Sequence, residues 1–253
     1  MKKTVVCCAL LGGLLALGGC KPKAEAGVAV AGEKAAAGAE SAVWTVQHAE
    51  CNISFGNVTF TRALNGADRG VQVEEGVMEF RCGGQTDFFC DPAEGKQPVA
   101  TAPMLLAEVD NTKPFTFTAK VTPGFAPEDV YTAADLFVFA GDRLWQKLAF
   151  EQDERGNHRV VSVRTRGTSD ANNHDVISQP WVYLKISSDT HTFACYYSLD
   201  KVKWQMVRLY KNEYPETIWL GLCSQCPVGD GCVNKFEEVS LEPVSVANFR
   251  LGV

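Results

Sequence analysis

The sequence holds no run of lysine and arginine, and its balance of charge is acidic: 24 Lys and Arg stand against 30 Asp and Glu, a formal net charge of -6. An acidic surface repels phosphate backbones, so nucleic acid is not an expected partner. Serine-hydrolase chemistry has no Gly-x-Ser-x-Gly turn to build on, and only His48, His158, His174 and His191 could serve as its base. No phosphate cradle is present, because Gly83-Gly84 and Gly229/Gly231 are followed by neither a helix nor a Lys-Ser/Thr pair; nucleotide binding is therefore not expected. No window keeps a 3.6-residue period over three turns, and nothing recurs at a solenoid or propeller period.

No apolar run reaches the ~20 residues of a membrane-spanning helix; the longest, Val5 to Gly18, spans roughly 14. It follows the basic start Met1-Lys2-Lys3 and ends in Leu17-Gly18-Gly19-Cys20. Charge, length, small residues and cysteine together resemble the lipobox of bacterial lipoproteins. That resemblance implies a signal peptide over residues 1–19, lipidation at Cys20, and a domain held at the membrane of a bacterial cell envelope by acyl chains. Lys21 rather than Asp after the cysteine points to the outer membrane. Removing Lys2 and Lys3 with the leader leaves 22 basic against 30 acidic side chains, a balance of -8. Residues 20–42, rich in Ala, Gly, Glu and Lys and without an aromatic residue, read as a tether.

Residues 43–253 are enough for one sizeable core. Short β-like runs, punctuated by Gly, Pro, Asn and Asp, fall at Ile53–Thr61, Gly76–Arg81, Met104–Val109, Phe115–Thr122, Leu136–Ala140, Thr217–Cys223, Phe236–Leu241 and Val244–Leu251. The stretch from Leu144 to Trp204 adds three or four more. Many strands at this spacing predict an all-β antiparallel sandwich. Side chains on a strand alternate between faces. Trp145, Lys147, Ala149 and Glu151 therefore share one face, and Leu144, Gln146, Leu148 and Phe150 the other. Trp181, Tyr183 and Lys185 likewise oppose Val182, Leu184 and Ile186, and Val161 and Val163 oppose Ser162, Arg164 and Arg166.

The ordered set TDFF (86–89), WQKLAFE (145–151), VSVRTRGTSD (161–170), WVYLKI (181–186) and YYSLDKVKW (196–204) resembles a concanavalin A-like family of unknown function that includes the regulation-of-enolase protein. The resemblance runs from about Gly76 to Val253. It implies a concanavalin A-like jelly-roll sandwich of two curved antiparallel sheets, with a concave face that binds or cleaves carbohydrate in better-known relatives. Two features depart from the pattern. Asp200-Lys201 stands where Asp-Gly is usual, which argues against a tight two-residue turn, and the loop Ser224–Val233 is rich in cysteine.

Beyond the leader and Cys20, seven cysteines remain: Cys51, Cys82, Cys90, Cys195, Cys223, Cys226 and Cys232. Export implies an oxidising compartment, so disulfides are expected among Cys51, Cys82, Cys90, Cys223, Cys226 and Cys232. The bend at Gly83-Gly84 would bring Cys82 toward Cys90. Seven is odd, and Cys195, in an alternating core strand, is the expected free thiol. Cys223-x-x-Cys226 with Cys232 has half the spacing of a zinc site but lacks a second CxxC or a paired His. No metal or cofactor is expected.

Trp145, Lys147 and Glu151, with Arg164, Trp181 and Tyr183 on neighbouring strands, are the candidate ligand-binding residues. A sugar offers apolar C–H faces to a ring and hydroxyls to charged side chains. The same residues also fit a second core layer, with Lys147 paired to Glu151. Hydrolysis requires two flanking carboxyls, for which Glu151 and Asp153, roughly 7 Å apart along one strand, are the candidates. Asp170, His174 and Asp175 fall in a polar stretch that reads as a solvated loop without the oxygen spacing of a calcium site. Three functions follow: a membrane-anchored, non-catalytic lectin-like domain, a glycoside hydrolase using Glu151, and an envelope interaction module without a small ligand.

Overall fold

The computed structural model describes residues 46–253. The leader, Cys20 and the tether to residue 42 lie outside the described residues. In chain order the strands are β1 (His48–Phe55), β2 (Val58–Leu64), β3 (Val71–Glu74), β4 (Val77–Gly83), β5 (Phe88–Phe89) and β6 (Val99–Ala100). They continue with β7 (Met104–Asp110), β8 (Phe115–Thr122), β9 (Ala133–Phe139), β10 (Leu144–Gln152), β11 (His158–Arg166) and β12 (Thr168–Val176). The last are β13 (Val182–Ser188), β14 (Thr192–Ser198), β15 (Trp204–Lys211), β16 (Thr217–Gln225) and β17 (Gly231–Glu242), and one short helix, α1 (Ala67–Gly70), joins β2 to β3.

Eight strands form one antiparallel sheet in the order β1-β2-β7-β16-β9-β10-β11-β12, and seven form a second in the order β15-β14-β13-β8-β17-β4-β3. The fold is the concanavalin A-like jelly-roll sandwich. Its core is made by the faces that alternation marks as aliphatic. Leu148 and Phe150 of β10, Leu136 and Val138 of β9 and Leu220 and Leu222 of β16 cluster with Phe117 and Val121 of β8 and Leu184 and Ile186 of β13. Each such side chain, fully buried, contributes roughly 1.5–3 kcal/mol of transfer free energy.

Three local expectations change. The run Ile53–Thr61, read as one strand, reverses at Gly56 between β1 and β2. Gly56 has φ 61, and a Cβ there would lie 1.9 Å from the Val239 carbonyl oxygen, so only glycine can make the turn. The polar stretch read as a solvated loop is the edge strand β12, held in register by β11, with Ser162 opposite Asn172 and Val163 opposite Ala171. Val244–Leu251 forms bends and turns rather than a strand.

The turn at Asp200-Lys201 is not a tight two-residue one. Asp200 Oδ1 accepts the amides of Val202 (2.9 Å) and Lys203 (2.7 Å), and Lys201 takes φ 61. The carboxylate thus stabilises a longer turn without glycine.

The expected disulfides are absent: all seven cysteines of the described residues are free thiols. Cys82 does not meet Cys90; it lies opposite Cys232 in the β4–β17 register, with the two Sγ atoms 3.3 Å apart. Cys90 and Cys223 are buried against the outer face of the eight-stranded sheet. Cys226 accepts the Thr132 hydroxyl at 3.4 Å, Cys51 donates to the Phe60 carbonyl at 3.4 Å, and Cys195 is fully buried in the main core. Cys223, Cys226 and Cys232 are thus packed and hydrogen-bonded singly rather than joined as a staple.

Candidate functional site

The eight-stranded sheet has a second, outer face, and part of it is a core of its own. Phe88 of the β5–β6 hairpin packs edge-on against Phe137, Phe139 and Trp145, at 5.5, 6.3 and 6.1 Å between ring centres. Such aromatic pairs contribute about 0.5–1.5 kcal/mol each beyond area burial. Trp145 is therefore fully buried, and its indole N–H donates to the Asp142 carbonyl at 3.2 Å. The indole is a structural ring, not an exposed stacking platform.

Beside this packed half the outer face opens into a cavity of about 420 Å³, lined by Lys147 and Glu151 of β10, Val161 and Val163 of β11, Ala171 and Asn173 of β12, Gln225 of β16, and Asp87, Phe89, Asp91, Tyr131 and Glu154 from the surrounding segments. That volume falls in the roughly 300–1,000 Å³ range of small-ligand sites. The floor follows from register: Lys147 lies opposite Val163, and Ala149 opposite both Val161 and Asp135.

Lys147 is almost wholly buried. Its ammonium donates to Gln225 Oε1 at 2.8 Å and to Asp87 Oδ1 at 3.2 Å. Burial pulls its pKa down, but the carboxyls of Asp87, Asp135 and Glu151 outweigh that pull and raise it, so the ammonium stays charged. Two antiparallel bridges deliver these partners. Thr86 and Cys226 exchange backbone hydrogen bonds, placing Asp87 and Gln225 side by side, and Val130 bonds to Val228, placing Tyr131 above them.

Tyr131 is held in a left-handed conformation, φ 65, a strained state for a bulky residue. Its N–H donates to the Gln152 carbonyl at 2.8 Å, and its carbonyl accepts Gln225 Nε2 at 2.8 Å. The clamp leaves Tyr131 41% exposed, at the rim of the cavity it lines.

Glu151 is 7% exposed, lines the cavity, and forms no ion pair with Lys147 or any other described residue. Burial raises its pKa to about 8, against the opposing pull of Lys147. Next to Ala149 and Cys223 in the sheet register, Asp135 is fully buried, and burial, against the pull of Lys147, pushes it up to about 7.

The remaining sequence candidates lie elsewhere. Arg164 points away from the cavity; its guanidinium covers the Tyr210 ring at 4.2 Å and reaches Glu213 at 3.2 Å. Tyr183 belongs to β13 of the other sheet, and Trp181 immediately precedes that strand. Tyr183 donates to Glu238 at 2.8 Å, and Lys120 covers Trp181 at 5.1 Å. Asp153 does not line the cavity. It anchors the β10–β11 turn, where Oδ1 accepts the amides of Arg155 (2.9 Å) and Asn157 (2.8 Å) and Oδ2 accepts Arg159 Nε at 2.8 Å. The six expected ligand residues thus do not form one surface: Lys147 and Glu151 reach the cavity, with Trp145 packed beside it.

Sequence reasoning did not mark Asp87, Tyr131, Asn173 or Gln225 as site residues. Asp135 did leave a signal, as a lone acid in the apolar run Ala133–Phe139. Among the described residues no group of three or more His, Cys, Asp or Glu is arranged to hold a metal ion.

The profile of a family described as a protein of unknown function (DUF1349) matches residues 65–244. A functionally unknown protein from Saccharomyces cerevisiae has a similar structure, with 23% identity and a TM-score of 0.64 over 72% of this chain and 95% of that one. The Bacteroides ovatus xyloglucan PUL protein GH43B is similar at 16% identity and a TM-score of 0.56, over 81% of this chain and 41% of that one. The Bacillus licheniformis GH43 protein BlXynB is similar at 12% identity and a TM-score of 0.54, over 73% and 36%. The chain therefore spans less than half of either GH43 protein, and at these identities the likeness is one of fold. No curated protein matches the chain.

Proposed function

We propose that this chain, which belongs to the DUF1349 family of proteins of unknown function, is a non-catalytic saccharide-binding domain whose ligand occupies the cavity on the outer face of the eight-stranded sheet. The observation that carries the reading is the meeting, in one preformed cavity, of the exposed Tyr131 with Glu151, Asn173 and Gln225. A ring covers the apolar face of a sugar while fixed polar groups bond its hydroxyls. The sandwich shared with parts of two GH43 proteins supports the same class of ligand.

Cleavage needs two carboxyls flanking one bond. Asp153 is committed to its turn, and of the carboxyls that line the cavity with Glu151, Asp87 pairs with Lys147, Asp91 accepts the Ala93 amide and Glu154 lies beside Arg155, which supports binding rather than hydrolysis. The basic, apolar leader ending in Cys20 supports display on a bacterial envelope; radiolabelled palmitate would then be incorporated by the wild type and not by Cys20→Ser.

The test of the binding reading is a glycan array probed with the full chain and with Tyr131→Ala. Retention of one glycan class by the wild type, weakened about tenfold or more in the variant (about 1.4 kcal/mol), is expected. An array blank for both proteins removes the reading. Release of reducing sugar by the wild type, lost in Glu151→Gln, replaces it with a hydrolase.

A further inference from the structure

Resting on the saccharide reading, we infer that the cavity selects a sugar bearing a free, protonated amine, as in a 2-amino-2-deoxy sugar, and turns away sugars carrying carboxylates or sulfates. The charges that line the cavity are unequal. Asp87, Asp91, Glu151 and Glu154 face it with one cation, Lys147. That cation is unavailable to a ligand anion, since its side chain is only 3% exposed and is held by Asp87 and Gln225. Two of the other acids are also engaged: Asp91 accepts the Ala93 amide at 2.8 Å, and Glu154 lies 3.5 Å from Arg155.

Glu151 is different. The residue is more than nine-tenths buried, opens on the cavity, and meets no hydrogen-bond donor or cation among the described residues within bonding distance. A buried carboxyl without a partner is costly. Burial favours the protonated form of this carboxyl; an ammonium beside it favours the ionised form and brings both a positive charge and up to three N–H donors. The Tyr131 ring at the same cavity adds a face that attracts cations as well as sugar C–H groups.

An N-acetyl group replaces the ammonium by a neutral amide and removes the charge pairing. A uronate or sulfate enters a lining with more acids than cations, where like charges repel at short range, and it cannot draw the proton from Glu151. Selection thus falls on the substituent of the sugar rather than on its ring.

Calorimetric titration of the full chain at low salt tests this with three probes: a β-1,4-linked glucosamine tetrasaccharide, its fully N-acetylated counterpart, and a tetragalacturonate. The glucosamine probe is expected to bind at least about tenfold tighter than the acetylated one, a difference of about 1.4 kcal/mol, and the uronate is expected to give no binding heat. Glu151→Gln should erase the difference between the first two. The wild-type ratio stands as a test even if that variant does not fold. Equal affinity for the amine and its acetylated form, or tighter binding of the uronate, overturns the amine inference and leaves saccharide binding intact. Silence from all three probes, together with a blank glycan array, overturns the parent reading as well.

Discussion

Lys147 and Glu151 lie on the same face of one strand and do not pair: the ammonium turns to Asp87 and Gln225, and the carboxyl is left to the cavity. This division makes Lys147 a part of the framework. Lys147→Met would leave Asp87 and the Gln225 carbonyl without their donor. Breaking a buried pair by removing one partner costs about 3 kcal/mol, and urea unfolding should show a loss of that size. A loss below about 1 kcal/mol would mean that the ammonium behaves as a surface charge.

Glu151 and Asp135 also set a pH dependence. Both carboxyls have folded pKa values raised above those of the unfolded chain, to about 8 and about 7. The folded protein therefore holds protons that the unfolded chain has already released, and stability falls as pH rises from the ordinary carboxylate range toward 8. Thermal melts between pH 5 and 8 should show this decline, and Glu151→Gln should flatten it. A melting temperature that climbs across the same interval would contradict the raised values.

Asp153 acts in the opposite sense. Its backbone and side-chain hydrogen bonds, with the Arg159 guanidinium, overcome the effect of burial and lower it to about 2. Its contribution is present above the ordinary carboxylate range and is lost as pH falls toward 2. Asp153→Ala should cost about 3 kcal/mol, measured in urea at pH 7, and leave glycan preference unchanged. Loss of ligand binding in a folded Asp153→Ala protein would restore Asp153 to the site.

Cys82 is the thiol expected to react first. The hydrogen bond from Cys232 lowers its pKa, whereas burial raises Cys51, Cys90, Cys195, Cys223 and Cys226. Thiolates, not thiols, attack alkylating agents. Brief iodoacetamide treatment at pH 7, followed by peptide mass mapping, should label Cys82 before any other cysteine of the folded domain, and Cys232→Ser should slow it. Labelling spread evenly over Cys51 and Cys82 would contradict this.

How far the sequence was legible follows from which contacts are local. Alternation in β10 and β13 placed Leu148, Phe150, Leu184 and Ile186 toward the core correctly, because the period of two is a property of each strand alone. It could not say that Tyr183 sits on a different sheet from Lys147; the chain changes sheets between β12 and β13. Nor could it show that Phe88, far upstream, closes over Trp145. Tyr131 enters the site through a left-handed backbone conformation held by Gln152 and Gln225, and residue type gives no sign of that. The break at Gly56 did leave a signal, since the apolar positions shift from Ile53 and Phe55 to Val58 and Phe60 across Gly56-Asn57. Asp135 could have been found, since an acid inside an apolar strand needs a reason to be there.

The central claim is that the ligand sits in the cavity on the eight-stranded sheet, and its location is measured most directly by nuclear magnetic resonance of the isotope-labelled full chain during titration with the glucosamine tetrasaccharide. Shift changes centred on Tyr131, Glu151, Asn173 and Gln225 are the predicted result. Changes centred on Tyr183 and Lys120 of the opposite sheet and the adjoining Trp181, or none at all, would contradict it.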